Sequence, residues 1–252
     1  MKYKPDGEIL KKFFYSEAFV RGICGPIGSG KSTACVLEIL RRAKVQAPYN
    51  GIRSTKFCAI RNTYPELKST TIRTWNDWVP SEFGKMRFDS PISHRIRFQD
   101  VDLEIIFLAL DRPDDVRKLL SLELTGAWIN EARDIPKAIL DTLTGRVGRY
   151  PSQAKNGSTW SGIIMDTNPP DDQSWWYDME SISPVGWQFF HQPSGISPTA
   201  ENRKNLPKNY YERITAGKTQ DWINVYVHGL FGYVVEGRPV YPMFLDSMHI
   251  AT

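Results

Sequence analysis

The 252-residue chain has 41% hydrophobic and 24% charged residues, ordinary globular usage that excludes a disordered or fibrous protein and leaves room for one large domain, or a domain with an appendage. Its 32 basic and 28 acidic residues leave a net charge of +4, which permits an anionic partner without identifying one. The opening MKYKPDGEIL has no apolar secretion core and no run reaches membrane-spanning length, so a cytosolic protein without membrane contact is expected.

Short apolar runs rich in β-branched and aromatic residues predict strands at 19–24 (FVRGIC), 56–61 (KFCAIR), 103–110 (LEIIFLAL), 125–130 (TGAWIN) and 161–166 (SGIIMD). Amphipathic stretches separate them, the pattern of parallel strands joined by crossover helices. MRFDSPISHRIRFQ (86–99) alternates apolar and polar residues around Asp89-Ser90-Pro91 and predicts a hairpin before the third strand. From Asn168 onward, prolines and tryptophans punctuate shorter helical pieces such as LPKNYYERITAGK (206–218). The expected organisation is a core over 1–170, a smaller lid or linker subdomain over 171–235, and a turn-rich linker over 236–252. Cys24, Cys35 and Cys58 sit in apolar surroundings and predict reduced, packed thiols, while the four histidines are too scattered for a zinc site.

Directly after the first strand stands GPIGSGKS (25–32), which matches G-x-x-x-x-G-K-[ST] and opens the helical run STACVLEILRRA. Strand before and helix after is the context a phosphate-binding loop requires. Gly25, Pro26, Ile27, Gly28, Ser29 and Gly30 bring backbone N–H groups to the phosphates, Lys31 reaches the terminal oxygens, and Ser32 offers its hydroxyl to Mg2+. Thr33 neighbours that ligand. Phe13 and Phe14, just before the strand, fit two readings equally: stacking on adenine, with Phe14 as the nucleotide contact, or core packing.

The fourth predicted strand ends in Asn130 and Glu131. A phosphate-loop enzyme needs a second buried strand whose tip organises Mg2+, usually with Asp, and in one large division a following Glu activates water. Glu131 is the candidate base. Asn130 departs from the pattern: its amide oxygen orients a metal-bound water but brings no charge, so Mg2+ falls chiefly to Ser32, ATP oxygens and waters, with Asp166 as a nearby carboxylate. The fifth strand ends in Thr167 and Asn168, whose neutral groups fit a γ-phosphate sensor or, in the plainer reading, an Asn-Pro turn. Arg61 at the second strand's tip suits phosphate, DNA or a salt bridge equally.

With these elements in order, the chain resembles the ATPase domain of the large terminase subunit of tailed bacteriophages. GPIGSGKS stands as the Walker A motif, AWINEARDIP as the Walker B strand with its glutamate, and MDTNPP as the coupling motif. Further similarity runs through RNTYPELKSTTIRTW, TGRVGRYP, QPSGISPTAENRKNLP and EGRPVYPMF, nearly the whole chain. The departures are Ile27, where that family often carries Arg, and Asn130 in place of Asp.

The resemblance implies an α/β fold: a P-loop NTPase with a mainly parallel central sheet flanked by helices, of the additional-strand, catalytic-glutamate type, plus a small C-terminal subdomain. It implies an ATP- and Mg2+-dependent motor that packages double-stranded DNA into a procapsid in the host cytoplasm, without being a virion component. The implied partners are a portal protein, a small terminase subunit and further copies of the chain in a ring, with a monomer in isolation. A nuclease domain would follow position 252, so nuclease activity is expected to be absent from this chain. In such rings a neighbour's arginine completes the site; Arg117 occupies the region where terminases place a basic residue, with Arg146 and Arg149 as rivals and a solvated charge as the plain alternative. Arg53, Lys56, Arg203, Lys204 and Lys208 suit DNA backbone contacts or solvated faces. Two other readings stand beside the motor: a P-loop kinase or other phosphotransferase, and a nucleotide-binding assembly module that does not hydrolyse.

Overall fold

The computed structural model describes residues 3–232, so the linker expected over 236–252 lies outside the described residues. The apolar runs form strands β1 (Val20–Cys24), β2 (Arg53–Arg61), β5 (Val101–Ala109), β6 (Gly126–Asn130) and β7 (Gly162–Thr167), with β3 (Met86–Arg87), β4 (Ile92–Phe98) and β8 (Trp187–His191) beside them. All eight join one sheet in the order β3-β4-β5-β2-β6-β7-β1-β8. The six from β5 to β8 in that order run parallel, and β4 and β3 continue the sheet antiparallel at one edge.

Burial explains the sequence texture. Every residue of β1, β6 and β7 is buried, because helices cover both faces of a parallel sheet, and such strands read as continuous apolar runs. In β4 inward residues alternate with more exposed ones, as in an antiparallel strand with one wet face. The hairpin is present as expected, and β4 turns back a second time onto β5.

One sheet face carries a core built from α1 (Glu8–Tyr15), α2 (Lys31–Val45) and the helix over 64–78, packed on Ile23, Phe57, Trp128 and Ile164. The other face buries Val20, Ile60, Ile129 and Ile163 beneath the helix Lys137–Thr144 and Trp176. Cys24, Cys35 and Cys58 are buried free thiols. α2 is pinned to β1 by charge: Arg21 and Glu38, both with 0% side-chain exposure, pair directly, and Glu38 also accepts from Arg41 and Arg42.

The sheet crosses the boundary expected at residue 170, because β8 lies beside β1 with Val20 opposite Trp187 and Cys24 opposite His191. Its aromatic residues are only partly buried, which suits an edge strand. Parallel alignment brings the ends of β1, β6, β7 and β8 to one side, where open α/β sheets bind ligands. β7 lies between the loop-bearing β1 and the Glu131-bearing β6, the additional strand of the expected fold type.

Candidate active site

The loop after β1 closes on α2 through Gly28 (φ 79°) and Gly30 (φ 83°), left-handed conformations that residues with a Cβ rarely adopt. Lys31 begins the helix and is buried, its Nζ donating to the carbonyls of Gly25 (3.0 Å) and Pro26 (2.7 Å) and to Ser29 Oγ (3.2 Å). Burial draws the Lys31 pKa down, against the opposing pull of Glu131 and Asp166. The ammonium therefore rests on loop carbonyls, at a helix N-terminus suited to an anion. Ile27 and Thr33 are partly exposed on either side of it.

Across the β6–β7 pair, Asn130 and Asp166 stand opposite each other in register. Asp166 has 0% exposure and accepts from Ser32 Oγ (2.5 Å), Trp128 Nε1 (2.6 Å) and Asn130 Nδ2 (3.0 and 3.2 Å). Asn130 Oδ1 accepts from Thr71 Oγ1 at 2.7 Å. A carboxylate only accepts, so the amide must turn its NH2 to Asp166 and its oxygen to Thr71. This corrects the expectation that the Asn130 oxygen faces a metal-bound water. Burial raises the Asp166 pKa, and the Glu131 charge adds to the effect.

Glu131 has φ 53° and ψ 61°, an uncommon conformation for a glutamate and the kind of strain that collects at functional sites. Its Oε2 accepts the Asn168 N–H at 3.2 Å, while Asn168 Nδ2 donates to the Gly25 carbonyl at 3.0 Å. Asn168 thus touches both the glutamate and the phosphate loop. Thr167 receives Gly25 N–H on its carbonyl (3.3 Å), and its hydroxyl accepts the Arg133 N–H (3.4 Å).

The other expected residues lie farther away. Phe14 corrects the adenine reading: it is 5% exposed in the α1–α2 core, where Arg41 stacks on its ring ten residues down α2 from Lys31, about 15 Å along the axis. Phe13, at 0%, packs edge-on to Phe190. Arg117 is exposed in the turn Pro113–Lys118 that follows β5. β5 is four strands from β1, about 19 Å at ordinary spacing, so Arg117 stands away from its own loop. Arg146 and Arg149 sit by Leu124 at the start of β6, the end opposite the phosphate loop, where Arg146 donates to the Leu120 carbonyl at 2.6 Å. Arg61 is drawn to Asp134 (3.5 Å) and Glu66 (3.7 Å), the salt-bridge alternative. Arg53, Lys56 and Lys204 pair with Asp100, Glu104 and Asp6. Arg203 and Lys208 line a cavity of about 380 Å³ whose Leu206 and Tyr210 stand against Gly28.

Sequence reasoning missed the outer brace of the loop. Gln192 donates to the Ser29 carbonyl (3.0 Å), Asn202 to Gly28 (2.8 Å) and Tyr211 to Ile27 (2.8 Å), while Ile27 N–H reaches the Tyr226 carbonyl (2.9 Å). Arg133 stacks on the Tyr226 ring and donates to its hydroxyl at 2.8 Å. Gln192 carried a signal, an apolar run ending in a polar residue as in β6 and β7; the isolated side chains at 202, 211 and 226 carried none.

Ser32, a buried carboxylate and phosphate oxygens are the hard oxygen donors Mg2+ takes, and Mg2+ commonly uses one or two carboxylates. A buried carboxylate whose three donors are neutral also suits a neighbouring cation. The residues fit the ion, although among the described residues no cluster of three or more His, Cys, Asp or Glu would hold a metal unaided.

Glycine loop, helix, intervening strand and acidic strand tip together define the fold of a P-loop NTPase. Solved structures sharing it are phage large terminases. The large terminase of the thermophilic bacteriophage D6E superposes with a TM-score of 0.70 at 14% identity over 98% of this chain, and it has been solved in complex with ADP. The Thermus phage P74-26 large terminase ATPase domain gives 0.58 at 16% identity, with 91% of this chain and 95% of that one covered. The HK97 bacteriophage large terminase gives 0.60 at 12% identity over 92% of this chain. The chain spans 58% of the D6E protein and 51% of the HK97 protein. No family model matches the chain, and no curated protein does.

Proposed function

We propose that this chain is the ATPase motor domain of a phage terminase large subunit, hydrolysing ATP with Mg2+ and coupling turnover to movement of double-stranded DNA into a procapsid. The observation that carries the reading is Asn168, hydrogen-bonded at once to Glu131 and to the Gly25 carbonyl of the phosphate loop. A kinase handing phosphate to another acceptor has no need of a glutamate set against the loop in this way. In the proposed reaction Lys31 leaves its loop carbonyls for the β and γ oxygens, Ser32 faces Mg2+, and Glu131 orients and deprotonates the attacking water. Asn168 and Thr167 report the state of the γ-phosphate to the rest of the fold. The shared fold with D6E and P74-26 terminases supports the assignment; a portal, a small subunit, a ring of copies and the host cytoplasm are proposed with it as the setting.

The test is phosphate release from ATP with and without Mg2+, for the chain and Glu131→Ala, over a wide range of protein concentration. Turnover that needs Mg2+ and falls by about 10³-fold in the variant, while ATP binding persists, is expected. Unchanged turnover in Glu131→Ala would remove the glutamate from the mechanism.

A further inference from the structure

We propose that Asp166 on β7, and no residue of the Glu131 strand, supplies the negative charge of the Mg2+ site, with Asn130 serving as the group that orients it. The inference rests on the nucleotide-hydrolysing reading above and deepens it by assigning the metal carboxylate.

Strand position favours Asp166. It pairs with Ile23 of β1 on one side and Asn130 of β6 on the other, so it lies one strand spacing from the loop-bearing strand, about 4.8 Å, and Asn130 lies two away. The proposed metal-ligand hydroxyl agrees: Ser32 Oγ is 2.5 Å from Asp166 Oδ2 and 3.4 Å from Asn130 Nδ2.

The oxygens divide the work. Oδ1 is held by the Trp128 indole at 2.6 Å, and the Asn130 NH2 spans both oxygens, which fixes the carboxylate plane. Oδ2 faces Ser32 and is the oxygen available to the ion or to one of its waters. Asn130 cannot fill that place, because its NH2 faces the carboxylate and its oxygen is taken by Thr71. A carboxylate at 130 would instead face Asp166 in register, two like charges in a dry site. The amide at 130 and the acid at 166 are therefore one arrangement, in which charge and orienting group have changed strands.

The experiment measures equilibrium binding of a fluorescent ADP analogue to the full chain with and without Mg2+, together with the paramagnetic resonance of Mn2+ added with ADP. Asp166→Asn is expected to lose about 10- to 100-fold of the Mg2+-dependent affinity and to shift the Mn2+ spectrum, with metal-free ADP binding retained. Its thermal midpoint without metal should hold or rise, since a buried charge has gone. The exchange Asn130→Asp with Asp166→Asn returns one carboxylate to the site and should recover most of the loss. An Asp166→Asn protein that keeps the wild-type Mg2+ dependence overturns the inference, as does a wild type whose ADP affinity ignores Mg2+. A wild type that binds no nucleotide in any condition overturns the proposed function and this inference together, whereas Mg2+-dependent binding without hydrolysis overturns the motor alone.

Discussion

At the residue scale, the positions of the candidate site residues were legible where an apolar strand ends in a polar group or a glycine loop opens a helix. Glu131 and Asn168 stand out because a buried run stops at a polar group, Lys31 and Ser32 because they close the glycine-rich motif between strand and helix, and the structure gathers all four at one end of the sheet. Their relations were not legible. That Asn130 turns its oxygen away from the site depends on Asp166 across one strand and Thr71 in another helix, contacts 36 and 59 residues apart in sequence. Phe14 shows the opposite failure: aromatic rings beside a phosphate loop suit core and ligand alike, and only the packing of Arg41 over the ring decides. His94 is a further buried group whose role emerges from tertiary contacts. Its Nδ1 accepts from Trp75 Nε1 (2.9 Å), so the neutral ring donates from Nε2 to the Gly84 carbonyl (3.0 Å), and burial lowers its pKa. Below about pH 6.5 the unfolded chain takes up this proton while the folded chain resists, so the stabilisation is present above that pH and is lost as pH falls toward the depressed folded value. His94→Gln supplies an uncharged acceptor and donor and does not titrate; thermal midpoints measured from pH 7.5 downward should fall less steeply in this variant, and equal slopes would remove His94 from the acid sensitivity.

At the element scale, the parallel strands were readable because double-sided burial writes them as unbroken apolar runs. β8 was not, since an edge strand of half-buried aromatics among prolines resembles a loop, and parallel pairing with β1 leaves no local mark. The attachment of α2 to β1 was equally hidden. Arg21 is an arginine inside an all-buried strand, and its partner Glu38 lies on α2 two turns past Lys31, where amphipathic patterning suggests a solvent-facing acid. Removing Glu38 strands the buried Arg21 without its anion, while Arg42 keeps Glu17 at 2.6 Å. Glu38→Ala should destabilise the domain by about 3–5 kcal/mol in urea unfolding, whereas Lys137→Ala, which loses an exposed pair with Asp141, should change it by about 1 kcal/mol or less. Equal effects would mean that the buried pair does not anchor the helix.

At the scale of the whole molecule, the candidate arginines part company by position. Arg117, four strands from the phosphate loop, is exposed on the same side of the sheet, whereas Arg146 and Arg149 sit at the far end of β6. A neighbour docking that side could bring Arg117 to another copy's γ-phosphate. Mixing Arg117→Ala with Glu131→Ala, each inactive alone, should then restore part of the ATPase activity, because a mixed interface can hold an intact glutamate from one chain and an intact arginine from the other. No recovery at any ratio would exclude this exchange.

Asn168 has a consequence for sequence change in this fold. One residue fastens Glu131, through its backbone N–H, to the first glycine of the loop, through its side-chain amide, so the two cannot drift independently. An alteration that displaces Gly25 by a fraction of an ångström should also shift Glu131, and on the proposed function such a variant is expected to hold nucleotide but hydrolyse it poorly. Grip and trigger share a single hinge pin, and tolerance to mutation at either is limited by the other.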